Sequence, residues 1–384
     1  MPDQDLAGAR RGPLTDVSVV EVGGIGPVPF AAMLLADLGA DVVRVDRPGE
    51  DLSGTHAVLL RGRRSMVLDL KSGHGRDEVL GLVERSDVLL EGFRPGVAER
   101  LGLGPDVALA RNPRLVYGRM TGWGQDGPYA ALAGHDITYL AVSGVLDAFT
   151  GEGGRPVPPL NLLGDFGGGG SLLAFGVLAG VLHARATGEG QVVDAAIVDG
   201  VAAMTAMQQS LVAGGGWSRP RGENLFDGGA PFYRCYRTLD DRWMAVGAIE
   251  PVFYARLLTG LGLEPADLLG AQLDPAGWSR TSAVLAERFA TRTQDEWTGV
   301  FAGLDACVAP VLTLEEARHD PHLVARHTYV ARPGEPVQPG SVPRFSRTPG
   351  ANRGEPDEPG EPGEPGEPGE GVAGASDDAV PRTD

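Results

Sequence analysis

Cysteine is nearly missing from this chain, with Cys235 and Cys307 as its whole complement. Two thiols cannot form a disulfide framework or a cysteine-built metal site, so the fold has to rest on its hydrophobic core. Lysine is scarcer still, Lys71 being the only one, and aromatic residues supply just 6% of the sequence. Uninterrupted apolar runs are also short. Ser171–Leu182 is apolar but broken by glycine, which argues against a membrane span. Met1–Gly12 mixes acids with Arg10 and Arg11 and no apolar h-region follows, so no secretory leader is expected and a cytoplasmic location is the default. Positive charge is in deficit as well: the net charge of −18 speaks against a general nucleic-acid binder.

What is present is a chain of 384 residues, 42% hydrophobic, long enough for one large core and a second domain. Its negative charge is uneven. Residues 351–384 hold ten Asp and Glu against Arg353 and Arg382, a net of −8, which leaves −10 for the remainder. The Glu-Pro-Gly repeat in that segment removes backbone donors and offers nothing apolar to bury, so a disordered acidic tail is expected.

Along the body, strand-like and helix-like patterns alternate. Val17–Val22 is β-branched, a glycine turn follows, Phe30–Leu38 has helical apolar spacing, and Asp41–Asp46 reads as a second strand, together a βαβ unit. Ser65–Leu70, Val88–Phe93 and Leu115–Thr121 read as further strands, with a helix over Gly75–Ser86. Helices are expected over Asp136–Ala148, Gly170–Ala186 and Val198–Val212, with a strand at Val192–Ala195. This alternation predicts an α/β fold, a Rossmann-like large domain with a parallel sheet covered on both faces. After the glycine-rich stretch Gly214–Gly229, Phe232–Thr238 and Trp243–Ile249 read as a hairpin. Helices at Phe253–Leu261, Ser282–Thr291 and Gln294–Leu304 and a strand at Val308–Leu312 then complete a smaller α+β domain.

Several motifs carry both a chemical and a plain structural reading. Gly24-Ile25-Gly26-Pro27-Val28-Pro29 lies between strand and helix with Asp46 beyond it, imitating a dinucleotide fingerprint, but Pro29 replaces the third glycine. A tight turn without a cofactor explains it better. Arg47, Lys71, Arg94 and Arg100 fall at or just past predicted strand ends, where open α/β sheets bind ligands. Each alone reads as a solvated charge; together they suit the phosphates of a cofactor. Gly134-His135-Asp136 and Gly164-Asp165-Phe166-Gly167-Gly168 each set a titratable side chain in a glycine-framed turn. A histidine and a carboxylate on separate elements can supply proton-transfer groups to two sides of one carbon. Against that, His135 by itself reads as a satisfied structural histidine, Asp165 as a helix N-cap, and Glu250 before Pro251 as a helix opener. Met204 and Met207 read as core. The remaining histidines, His56, His74, His183, His319, His322 and His327, lack metal-ligand spacing, so no metal site is expected.

Taken together, Leu14–Pro48, Asp69–Gly73, Glu91–Gly104, Met120–Gly124, Gly134–Gly144, Pro156–Gly170, Gly190–Gly200 and Val246–Pro251 resemble the α-methylacyl-CoA racemase branch of the class III CoA-transferase (CaiB/BaiF) family. The resemblance runs from about Leu14 to Arg347, and the two glycine-framed motifs are its most specific pieces. It implies that His135 and Asp165 are the acid–base pair and that Glu250 supports the histidine, commonly across a subunit boundary. The same likeness assigns the CoA site to Arg47, to Leu68, Asp69, Leu70 and Lys71, to Gly92, Phe93 and Arg94, and to Arg100. Gly134, Asp136, Ile137, Thr138 and Tyr139 would line the thioester end. An interlocked homodimer is implied, with a large domain of residues 1–210 completed by about 320–350, a linker at 211–225 and a small domain at 226–318.

The implied reaction inverts the α-carbon of a 2-methylacyl-CoA thioester. Removing the α-proton leaves an enolate with its charge largely on the thioester oxygen, and N–H groups at the start of the Asp136 helix suit that charge. Return of a proton on the opposite face requires two flanking groups, one protonated and one not. Ordinary pKa values of about 6.5 for histidine and 3.9 for aspartate have to approach each other, and burial of Asp165 would raise its own. No electron moves, so no prosthetic group is expected and CoA arrives on the substrate. The alternative is a CoA-transferase using Asp165 as nucleophile, which has no need of His135 opposite it. A nicotinamide-binding or purely CoA-binding regulatory protein would leave His135, Asp165 and Glu250 idle.

Overall fold

Strands β1 (Ser18–Val22), β2 (Asp41–Asp46), β4 (Val88–Glu91) and β5 (Val116–Thr121) bury nearly every residue, on both faces of the sheet. Only a parallel sheet with helices on either side does that. In the computed structural model, which describes residues 11–49, 57–149, 151–217, 220–264, 268, 272–331, 334 and 336–350, these strands form a six-stranded sheet. The order is β3-β2-β1-β4-β5-β6, with β3 at Arg64–Val67 and β6 at Gln191–Ala196, and every pairing is parallel. Residues 1–10, His56 and the acidic segment 351–384 lie outside the described residues. The strand order reverses between β1 and β4, so the loops after these two strands diverge and open a crevice at the carboxyl edge.

Successive strand residues serve opposite layers, as the period of two requires. Val19, Val42, Leu90 and Val116 pack with helices α1 (Pro27–Asp37), α5 (Asp136–Val142), α6 (Leu172–Thr187) and α7 (Ile197–Met204). Val20, Val43, Leu89 and Tyr117 face α2 (Gly73–Val83) and α4 (Pro105–Arg111), beyond the short α3 (Val97–Arg100). Three carboxylates are buried among the strands. Glu21 pairs with Arg44 and Arg63, Asp46 with Arg44 and Ser65, and Glu91 with Arg119. Burial raises the pKa of Glu21 and Glu91, and their arginine partners oppose the rise.

Helix boundaries differ from the sequence expectation where packing rather than pattern decides. The helix expected from Gly170 starts eight residues earlier, because Leu162–Ser171 is wound as a π-helix that runs into α6. The joint helix, Leu162–Thr187, is 26 residues long and holds an 18-residue stretch with a mean hydropathy of 1.5, which by length and composition suffices to cross a membrane. Its glycines account for its place inside the fold. A Cβ on Gly168 would come within 2.8 Å of the Val201 nitrogen, and one on Gly170 within 2.6 Å of the Pro27 carbonyl oxygen. The segment is therefore held backbone to backbone between α1 and α7. The helix expected over Val198–Val212 is broken at Thr205, whose hydroxyl bonds back to the Ala202 carbonyl, and resumes as α8 (Ala206–Ala213). That carries it three residues into the expected linker. The Asp136 helix ends at Val142 instead of continuing to Ala148.

A second core lies further along the chain. Strands β7 (Tyr233–Arg237), β8 (Trp243–Gly247) and β9 (Val308–Pro310) form an antiparallel sheet. Helix α9 (Pro251–Leu261) and the helices Pro275–Phe289 and Gln294–Phe301 pack on it through Tyr254, Leu257, Phe289 and Trp297.

Candidate active site

Gly23, Gly24 and Gly26, which follow β1, all have positive φ (62°, 112° and 74°), so the turn into α1 is one that only glycine follows without strain. A Cβ on Gly26 would stand 3.2 Å from Oδ2 of Asp165. The glycine turn that imitates a dinucleotide fingerprint thus makes room for a carboxylate. Across the crevice, a Cβ on Gly23 would strike the Phe93 ring, which fixes the loop after β4 against the loop after β1.

His135 is exposed and stands at the N-cap of α5. Its backbone N–H donates to the Thr138 hydroxyl at 3.0 Å, and that hydroxyl donates to the His135 carbonyl at 2.7 Å. Asp165 is half-buried within the π-wound segment and is not its cap, which corrects the N-cap reading. Its backbone N–H donates to Oδ2 of Asp136 at 2.7 Å, so the two glycine-framed motifs are tied to each other. Asn161 stands one helical turn earlier, and its amide lies 3.5 Å from the Asp165 carboxylate.

The surroundings raise the proton affinity of Asp165. Burial is the largest influence raising its pKa above the ordinary value, and the Asp136 charge adds to it; Asn161 and His135 act in the opposite sense. Tyr139 lies within the field of both Asp165 and Arg94 and is likewise raised, mainly by burial. Its ring is stacked edge-on against Trp123 at 4.7 Å and occupies space that Gly122 and Gly134 leave open. Arg94, Tyr139, Asp165 and His135 therefore share one neighbourhood.

The other sequence-selected residues lie along the same carboxyl edge. Arg47 follows β2 directly and is exposed. Leu68 donates its N–H to the Asp46 carbonyl, and the Asp69 carboxylate accepts the Lys71 N–H in a tight turn into α2. Gly92 and Phe93 follow β4, where the Phe93 N–H donates to buried Glu91 at 2.7 Å. Arg100 ends α3 with its guanidinium over Gly96. Ile137 and Thr138 are exposed on α5 beside His135. Glu250 stands apart: it opens α9 in the second core, and His135 is not among its hydrogen-bond or ion-pair partners within the described residues. Among those residues no group of three or more His, Cys, Asp and Glu is arranged to hold a metal.

A cavity of about 770 Å³ is lined by Leu163, two residues before Asp165, and by Met204, Phe149, Trp217 and Phe226 among others; His135 and Asp165 are not in its lining. Met204 and Met207 are 49% and 51% exposed, which corrects their reading as core; Met204 also covers Gly167. Asn161 and the Asp136 side chain are contacts that the sequence reading left out. The four-residue spacing of Asn161 from Asp165 is the signal that points to the first.

Known proteins resemble this chain over most of its length. The sequence profile of CoA-transferase family III matches residues 14–361. The human alpha-methylacyl-CoA racemase is 48% identical over 336 residues, covering 88% of this chain and 87% of that protein. A succinyl-CoA–D-citramalate CoA-transferase of Chloroflexus aurantiacus is 32% identical, over 88% of this chain and 89% of its own. Among solved structures, a CaiB/BaiF family protein from Brucella suis superposes with a TM-score of 0.75 at 26% identity, covering 88% of this chain and 94% of that one.

Proposed function

Since the chain belongs to CoA-transferase family III, we propose that it is a racemase of that family, interconverting (R)- and (S)-2-methylacyl-CoA thioesters by proton transfer through an enolate. The observation that carries this reading is that His135 and Asp165, on two different elements, are drawn to one crevice, with the proton affinity of Asp165 raised toward that of histidine. One group removes the α-proton while the other, already protonated, delivers its own to the opposite face; the pair then holds the proton for the reverse direction. The first N–H groups of α5, at Asp136 and Ile137, precede the intrahelical bonds and suit the enolate oxygen.

The CoA moiety would lie along the carboxyl edge of the sheet, with Arg47, Lys71, Arg94 and Arg100 toward its phosphates and adenine and the backbone of 68–71 and 92–94 beneath it. The thioester would end over Gly134–Tyr139, and the acyl group would enter the cavity that starts at Leu163. Glu250 would support His135 from a second copy of the chain, which accounts for its distance from His135 in sequence and in contacts. This arrangement needs a homodimer in which residues 1–210 and 320–350 form the large domain, 211–225 the linker and 226–318 the small one. Phe175 and Leu182 on α6, each 71% exposed, offer an apolar surface for such a partner. Two free, exposed cysteines suit a reducing, cytoplasmic setting.

Transfer of CoA through Asp165 as nucleophile is the competing use of the fold. It gives no role to an imidazole beside that carboxylate, and the racemase relative is the nearer of the two in sequence. Incubation with a single enantiomer of a 2-methylacyl-CoA in deuterium oxide tests the choice. Label at the α-carbon without any added carboxylic acid is expected. Label or CoA exchange that waits for an acceptor acid would favour the transferase.

A further inference from the structure

The two-base scheme gives the Asp136 carboxylate no task, although Asp136 is only 7% exposed, follows His135 directly and bonds to the Asp165 backbone. An acid in the first turn of a helix ordinarily turns to solvent and complements the helix dipole. Here it is turned inward, and Oδ2 accepts the backbone N–H of Asp165, twenty-nine positions along the chain, at 2.7 Å. A side chain on Gly164 would overlap this carboxylate, so the glycine before Asp165 leaves the notch that holds it. Oδ1 is buried and accepts no hydrogen bond from the described residues. Leaving a carboxylate oxygen in that state is costly, and a cap by Ser or Asn would avoid the cost.

We infer that Asp136 is a positioning residue for proton transfer: it fixes the Asp165 backbone to the residue after His135, so that both acid–base groups move as one unit. The inference rests on the racemase reading. Because His135 and Asp136 are adjacent, the hydrogen bond to Asp165 sets the spacing of the pair directly, and a displacement of about 1 Å in such a pair costs on the order of 100-fold in rate. The same carboxylate is the charged group that acts most strongly on Asp165. His135 and Tyr139 of α5 also face it. Asp37 of α1, Arg119 of β5, Asp194 of β6 and Asp199 of α7, on the other packed elements, are not among its resolved influences.

Two substitutions separate position from charge. Asp136→Asn keeps an oxygen for the Asp165 N–H and removes the charge, whereas Asp136→Ala removes both. Carboxyl carbon NMR of the full-length protein, with the Asp165 signal assigned by its loss in Asp165→Asn, reads the titration without depending on turnover. In Asp136→Asn, Asp165 is expected to titrate at lower pH, and the acid limb of α-deuterium exchange to move the same way. The plateau rate should stay within about tenfold of the parent. In Asp136→Ala the plateau rate is expected to fall about 100-fold at unchanged KM for the CoA ester. An unmoved Asp165 titration in Asp136→Asn, or parental exchange by a folded Asp136→Ala, overturns the inference. If Asp136→Ala does not fold, the Asn titration decides. A parent protein that exchanges no α-proton would instead overturn racemization, and the NMR titration would still decide the role of Asp136.

Discussion

His135 is open to water while Asp165 is half-buried beside a second carboxylate, and that burial and charge raise the proton affinity of Asp165 above the ordinary aspartate value. His135→Ala should lower α-proton exchange by about 10²–10⁴-fold, the usual worth of a positioned acid or base, with CoA-ester affinity nearly unchanged; isotope exchange beside a binding titration measures both. Asp165 carries a stability consequence of definite sign. Its proton is held more tightly in the folded than in the unfolded chain, so ionising it costs stability once pH passes the unfolded value of about 3.9, and the cost is complete above the folded pKa. Asp165→Asn should therefore show a higher urea midpoint than the parent at pH 7, and the gap should close as pH falls toward 4. Arg94→Ala should raise KM for the CoA ester by about tenfold or more and leave kcat largely in place, as loss of a charged hydrogen bond to a phosphate does. At this scale the sequence is legible wherever glycine frames a side chain, as at His135 and Asp165. The Asp136 carboxylate is hidden because its partner lies twenty-nine residues away, and nothing local reveals which way a first-turn acid turns.

At the scale of elements, the βαβ alternation is plain in the sequence because strands buried on both faces become runs of valine and leucine. The π-winding of Leu162–Ser171 is not, since its hydrophobic period depends on how closely α1 and α7 approach. The sequence alone reads the glycines of this segment as framing a turn; in the structure Gly168 and Gly170 are pressed against the backbone of α7 and α1. Gly200→Ala tests this directly. Its new Cβ would overlap the Gly168 carbonyl, which is backbone and cannot rotate away. A loss of about 1–3 kcal/mol in urea unfolding is expected, the ordinary cost of overpacking, together with reduced exchange activity, because Asp165 lies three residues from the displaced contact. The break at Thr205 was equally out of reach of periodicity, for it depends on a hydroxyl competing with the helix for the same carbonyl.

On the scale of the whole molecule, Glu250 opens a helix of the second core and has no bond to His135 among the described residues, so its proposed service to that histidine calls for a site shared between two chains. Co-expression of His135→Ala with Glu250→Ala distinguishes a shared site from a self-contained one. If Glu250 acts across the boundary, each mixed dimer keeps one intact site, and random pairing restores about a quarter of the sites, whereas either variant alone stays low. No recovery above the single variants would place Glu250 in the service of its own chain or of none. The exposed side chains of α6 bear on the same question from the direction of synthesis. Phe175 and Leu182 are exposed on a single chain, and if the proposed homodimer covers them, a newly made polypeptide displays them to the solvent until it pairs. Chaperones recognise such greasy ridges, so the yield of usable enzyme should follow how quickly nascent chains find one another: slow, cool expression would favour pairing, and crowded, rapid production would favour inclusion bodies.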